Sequence, residues 1–211
     1  YEILRCLVGS EMCIRDRILI MYYNFRDPYY APSRGYRGLP KSHYRAYKDQ
    51  LREDFKKRCG YTFCSDGWFG GPSCFHIDHL KSKKYYKDLI HTYENLVYCC
   101  ASVNIAKSDD HSCEYLDPCD IDFNKDFARN CFGRIIIRSD APHQKIAQHM
   151  YERMKLYLTK YALIWWLDRL TILVNEARQL KKQYPDNIDL KNALDEVIEA
   201  YYDMTEFLRV S

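Results

Sequence analysis

Apolar residues recur at helical spacing in the first and last parts of the chain and gather into short strand-like runs between them. From Ser42 onward, Tyr44, Tyr47, Leu51 and Phe55 repeat at the interval of one helix face, which predicts a helix carrying its cations on the other face. Upstream, Pro28, Pro32, Gly35, Gly38 and Pro40 keep the chain open. The run Phe-His-Ile-Asp-His from Phe75 to His79 predicts one strand, Leu-Val-Tyr-Cys-Cys from Leu96 a second after a polar loop, and Asn104-Ile-Ala-Lys-Ser opens a helix. Asp117-Pro118 starts a segment that ends in the β-branched strand Phe132-Gly-Arg-Ile-Ile-Ile. Beyond Pro142 the pattern is helical to the end. Ile146, Met150 and Met154 form one stripe; Thr159 is the expected N-cap of a second helix through Trp165, Leu170, Leu173, Ala177 and Leu180. After Pro185 and Asn187 a third stripe runs over Leu190, Leu194, Val197, Ile198, Tyr201 and Leu208. The fold class expected is therefore α+β, with a basic N-terminal helical arm over 21–58, a small core over 59–140 and a C-terminal helical subdomain over 141–211.

Composition narrows this picture without naming a function. A formal charge of +3 over 211 residues is only mildly basic, but cations concentrate in the arm, at Arg34, Arg37, Lys41, Arg45, Lys48, Arg52, Lys56, Lys57 and Arg58. Such a face can contact phosphates, releasing counterions, or can simply be a solvated helix face. The apolar run around Trp165 and Trp166 is broken by Asp168-Arg169 and falls far short of the ~20 residues a membrane span needs. It is core, or a surface for a partner. Ten cysteines are irregularly spaced with no secretion signal ahead of them, which fits reduced thiols in a cytoplasm. Residues 1–20 resemble a translated sequencing adapter rather than a leader, because acids interrupt the apolar run. The natural start expected is Met21, which removes Cys6 and Cys13 from any metal count.

The candidate chemistry lies between Phe75 and Ser108. Asp78 offers a hard carboxylate and Asn104 a carbonyl oxygen, a donor set that suits Mg²⁺ with most of its waters retained. His79, next to the acid, has a side chain whose ordinary pKa near ~6.5 lets it take a proton from water at neutral pH. In this order and spacing, over roughly Arg58 to Asp110, the residues resemble the HNH endonucleases of the ββα-metal (His-Me finger) class. The resemblance implies a ββα-metal core in which His79 is the general base and Asp78 and Asn104 hold Mg²⁺, Mn²⁺ or Ni²⁺. It implies that Asn95 pins the loop that orients the histidine, and that Lys107 stands near the phosphate. His76 and Lys81 are further candidates for substrate contact, with His76 alternatively bracing the hairpin. The Asp117-Pro118 segment, the following strand and the helices also resemble larger HNH proteins of bacterial defence systems, including nuclease partners of ATPases.

One part of the family pattern is altered. Many HNH domains hold a structural Zn²⁺ in two Cys-x-x-Cys knuckles, but here the first is stretched to Cys59-Gly-Tyr-Thr-Phe-Cys64 and the second reads Cys100-Ala-Ser-Val103. A tetrahedral site needs four such ligands. Either Cys74, Cys99, Cys113 or Cys119 joins Cys59, Cys64 and Cys100, or the site is degenerate or lost, which is the expectation preferred. The function expected is a metal-dependent endonuclease acting on DNA, with RNA as the other substrate class. The alternative is a catalytically inactive module that binds nucleic acid or a partner, with the C-terminal helices forming a homodimer or docking on an ATPase.

Overall fold

The computed structural model describes residues 22–210; the expected non-native segment, Cys6, Cys13 and the expected start at Met21 lie outside the described residues, as does the side chain of Leu208. Two compact units are present, one spanning Tyr22–Tyr161 and the other running from Ala162. The first contains β1 (Tyr23–Asn24), α1 (Lys48–Asp54), β2 (Phe75–His79), β3 (Leu96–Cys100), α2 (Ala101–Lys107), β4 (Phe127–Arg129), β5 (Ile135–Ile137) and α3 (Gln144–Arg153). α4 (Thr159–Gln183) begins there and continues into the second unit, which adds α5 (Ile188–Val210). The molecule is thus a mixture of helix and sheet, in agreement with the α+β expectation.

Two small antiparallel sheets organise the first unit: β2 pairs with β3, and β1, β4 and β5 pair in the order β1-β4-β5. Phe25, Phe123 and Phe127 are all buried beside the second sheet, with ring centroids 5.6 to 5.9 Å apart and tilted, the geometry that aromatic quadrupoles favour. Arg129 is fully buried and donates to Phe25 O (3.3 Å), Thr62 O (2.8 Å), Gly133 O (2.8 Å) and Tyr161 O (3.4 Å). One guanidinium therefore satisfies carbonyls from four separate segments.

Every residue of β3 is buried, which explains its unbroken apolar reading: the strand contacts both α1 and α2. α1 presents the expected stripe, with Tyr47, Leu51 and Phe55 buried, but is preceded by a 3-10 turn over Tyr44–Tyr47. It stops at Lys56 and Lys57, both with left-handed φ (54° and 60°), and their amides close back on Glu53 O and Arg52 O. The following turn folds Cys59 to Cys64 into a knuckle in which Cys59 N donates to Cys64 O and Phe63 N to Cys59 O, each at 2.9 Å. Gly60 in this turn donates to Tyr98 O on β3 at 2.9 Å. A Cβ there would lie 2.7 Å from Phe55 and 2.8 Å from Val97, so only glycine lets the knuckle lie on the strand.

α3 belongs with the first unit, not with the C-terminal helices as the expected boundary at residue 141 had it. Its buried Met150 accepts from Leu116 N (3.3 Å), His149 pairs with Asp110 (2.6 Å), and His143 ahead of it is bound by Asp126. In the second unit, Leu170, Val174 and Val197 form a buried cluster with Leu173, Ile198, Ala200 and Tyr201 against it. Asn187 Oδ1 accepts from Leu190 N (2.9 Å) and caps α5 after the Pro185 break. Trp165 and Trp166 are buried, and no described helix is long and apolar enough to cross a membrane.

Replacing Arg129 by methionine strands several buried carbonyls at once, each costing about 1–3 kcal/mol. Urea unfolding of Arg129→Met is expected to show a loss of about 3 kcal/mol or more, while Arg138→Met, on an exposed pair with Asp140, changes stability by about 0.5 kcal/mol or less.

Candidate active site

In the β2–β3 hairpin Asp78 lies opposite Val97 and His79 opposite Leu96. Strand alternation puts His76 and Asp78 on one face of β2. α2 follows β3 directly, with Cys100 in extended conformation as its N-cap, so Asn104 and Lys107 come one turn apart on one helix side. Three helical residues rise about 4.5 Å and two strand residues about 6.7 Å, a difference that the long Lys107 side chain spans. Asn104 Nδ2 accordingly donates to His76 Nδ1 (3.1 Å), while Lys107 Nζ reaches Asp78 Oδ1 (3.1 Å) and Oδ2 (3.0 Å) and His79 O (2.6 Å).

Lys107 is fully buried, beneath the cleft rather than in it, with its ammonium 4.8 Å from the centroid of the Tyr115 ring. The expectation that it stands near a phosphate is corrected: its donors are committed to Asp78 and the His79 carbonyl. Tyr61 OH donates to Asp78 Oδ2 (2.7 Å) from the knuckle turn, and burial first, then Asp78, raises the Tyr61 pKa well above its ordinary value. Tyr61 therefore stays a protonated donor.

His79 is buried, with its Nε2 3.0 Å from Ile90 O. A carbonyl can only accept, so Nε2 carries the proton and Nδ1 keeps its lone pair. Burial lowers the His79 pKa below the ordinary imidazole value; Lys83 and Lys107 push the same way, against the Ile90 carbonyl and Asp78. Burial thus favours the neutral ring. Tyr44 packs edge-on against it, centroid to centroid 4.8 Å.

Asn95 holds the loop between the strands. Its Oδ1 accepts from Lys81 N (2.8 Å), and its Nδ2 donates to Lys81 O (3.0 Å) and Leu89 O (3.2 Å). Leu89 immediately precedes the Ile90 carbonyl that sets the His79 tautomer. The other end of the link is His91, whose Nδ1 accepts from Tyr44 N (3.2 Å).

His76, Asp78, His79 and Asn104 all line one cleft of about 670 Å³, together with Tyr44, Arg45, Lys48, Lys83 and Asp109. The lining omits Lys81, whose ammonium lies 5.7 Å from the Tyr86 ring centroid. Much of the arm's charge is used internally: Arg34 forms a two-oxygen bridge to Asp117 and Arg52 binds Asp66. Arg45 and Lys48 are the arm cations on the cleft. Tyr61, Lys83 and Asp109 were missed from the sequence; nothing in the spacing marks a tyrosine in the knuckle or one acid beyond a helix end as belonging to the site.

The donor set suits a hard divalent cation. Asn104 gives one amide hydrogen to His76, leaving Oδ1 as its oxygen donor, and a carboxylate with roughly four lone-pair sites retains acceptor capacity after Lys107 and Tyr61. Among the described residues no group of three or more His, Cys, Asp or Glu could hold a metal ion, yet a cation that keeps its waters needs only one or two protein ligands. The knuckle cysteines lie in separate surroundings. Cys100 Sγ lies 3.5 Å from Ser102 Oγ, and burial raises the Cys59 thiol pKa while its polar neighbours, Cys59 first, lower that of Cys100. Cys64 Sγ instead approaches Thr62 O and Tyr161 O, each at 3.8 Å.

Comparison of the chain with protein-family models, with curated proteins and with solved structures finds no match.

Removing Lys107 leaves Asp78 buried without its cation, a loss that costs about 3–5 kcal/mol. Thermal and urea unfolding of Lys107→Met are expected to show a destabilisation of that size, and adding Asp78→Asn to recover a substantial part of it. Equal stability of Lys107→Met and wild type contradicts the assignment.

Proposed function

We propose that the protein is a metal-dependent endonuclease of the HNH type, built on a ββα-metal core, which hydrolyses phosphodiester bonds in DNA. The observation that carries this reading is the setting of His79: its Nε2 donates to Ile90 O, which leaves Nδ1 as the basic nitrogen, and burial favours the neutral ring on a cleft shared with Asp78 and Asn104. In that state Nδ1 takes a proton from water as the oxygen attacks phosphorus, and the loop clamped by Asn95 holds the ring in register. Asp78 and Asn104 would hold the cation. When bound, Mg²⁺ or Mn²⁺ supplies Lewis-acid stabilisation of the charge gathering on the phosphate and the leaving oxygen. Arg45, Lys48 and Lys83 face the substrate's flanking phosphates, and their contribution falls with salt.

One observation favours a second reading, a module that binds nucleic acid without cutting it. Lys107 already neutralises Asp78, so the carboxylate has a cation before any metal arrives. That module binds with strong salt dependence and breaks no strand in any divalent metal.

Cleavage of plasmid and oligonucleotide DNA in Mg²⁺, Mn²⁺ and Ni²⁺ separates the two. His79→Ala is expected to lower the cleavage rate about 10²- to 10⁴-fold, the usual contribution of a general base, with affinity for DNA nearly unchanged. Unaltered cleavage by His79→Ala sinks the mechanism, and absence of cleavage by the wild type in all three metals selects the binding module.

A further inference from the structure

Three aromatic rings cluster beside the general base, where the nuclease chemistry as such does not require them. His43 stacks on Tyr44 with centroids 4.7 Å apart and planes at 26°, and His91 lies nearly parallel to Tyr44 at 6.3 Å and 19°. His43 and His91 are 5.6 Å apart, and both are exposed. Their backs are anchored, because His43 Nδ1 accepts from Arg45 N and His91 Nδ1 from Tyr44 N, each at 3.2 Å. The rings are therefore fixed before any ligand arrives, and little side-chain freedom is lost on binding. Cations flank them: the Lys83 ammonium and the Arg45 guanidinium lie 5.8 and 5.9 Å from the Tyr44 centroid.

π-faces alternating with cations match a ligand that alternates flat rings with phosphates. A nucleic-acid single strand has that chemistry, and base-on-aromatic stacking tolerates any sequence because every base has a π-face. Within a duplex those faces are covered by neighbouring bases, and a base must leave the stack to be gripped from the side. Tyr44, Arg45 and Lys83 also line the cleft of about 670 Å³ that holds His79, a volume in the range that takes one nucleotide-sized ligand.

We propose that His43, Tyr44 and His91 form a stacking platform for an unpaired nucleobase next to the scissile phosphate, with Arg45 and Lys83 holding the adjoining phosphates, so that single-stranded or locally unpaired nucleic acid is the preferred substrate. The inference rests on the nuclease reading above. It makes Tyr44 the centre of the platform, stacked with His43 and set edge-to-face with His79, while the exposed His43 and His91 rings meet the base.

The test uses the full chain in EDTA at fixed salt, with a short oligonucleotide carrying 2-aminopurine, offered as a single strand and as a blunt duplex of the same sequence. Expected are tighter binding of the single strand, quenching of 2-aminopurine on binding, and an affinity loss of about tenfold or more with loss of quenching in Tyr44→Leu. Tyr44→Trp keeps a ring and retains both signals, and His43→Ala, at an exposed position, weakens the single strand selectively. Equal affinity for the two forms, unchanged in Tyr44→Leu, overturns the platform. If Mg²⁺-dependent cleavage persists in that case, the nuclease reading survives alone; if the wild type neither binds nor cleaves either form, both fall.

Discussion

A single buried ammonium, that of Lys107, organises the candidate site. It joins the end of α2 to the carboxylate of Asp78 and to the backbone carbonyl of His79, and so ties helix and strand at one point. An ion pair taken out of water is stable only when its remaining donors and acceptors are met. Here Tyr61 meets one carboxylate oxygen and the His79 carbonyl takes a further ammonium hydrogen. Sliding the hairpin by one residue would turn Asp78 away from α2 and leave Lys107 buried without it. The pair thus enforces the register that presents His79 to the cleft.

A second set of bonds acts on His79 from the opposite side. Asn95 grips the backbone at Lys81 and Leu89, Ile90 O takes the Nε2 proton, and His91 is tied to Tyr44 at the entry to α1. A residue remote from any reacting atom therefore sets which nitrogen of the imidazole is basic. The same residues explain why the arm precedes the hairpin in function as well as in sequence: α1 carries Lys48, and the 3-10 turn before it carries Tyr44 and Arg45, onto the cleft that β2 and α2 build.

The parts of this arrangement legible in the sequence are those with a local signature. The Phe75–His79 and Leu96–Cys100 runs, the Tyr47, Leu51 and Phe55 stripe, and the Pro185 break between the last helices follow from periodicity and breakers alone. Asp78, His79, Asn95 and Asn104 were singled out by their order, and the fold places Asn95 on the loop beside the histidine and the other three on one cleft. What was not legible depends on contacts distant in sequence. Lys107 reads as an exposed cation near a helix end until Asp78 is known to face it, and Arg34 reads as a phosphate contact until Asp117 is known to bind it. Likewise, α3 reads as the start of the terminal helices, since nothing in its stripe reveals that Met150 and His149 pack on the segment after α2. The cysteines behave in the same way: spacing showed an altered knuckle pair, and only packing reveals that Cys64 turns toward Tyr161 O.

The central claim is that His79 is a neutral base whose Nδ1 lone pair is kept free in the cleft. Long-range ¹H–¹⁵N correlation of the imidazole rings, followed from neutral to acid pH and assigned with a His79→Gln control, reads both the tautomer and the titration. The account predicts the Nε2–H tautomer at pH 7, with protonation of Nδ1 only below the ordinary imidazole value near ~6.5. An Nδ1–H tautomer, or an imidazolium already formed at pH 7, would contradict it.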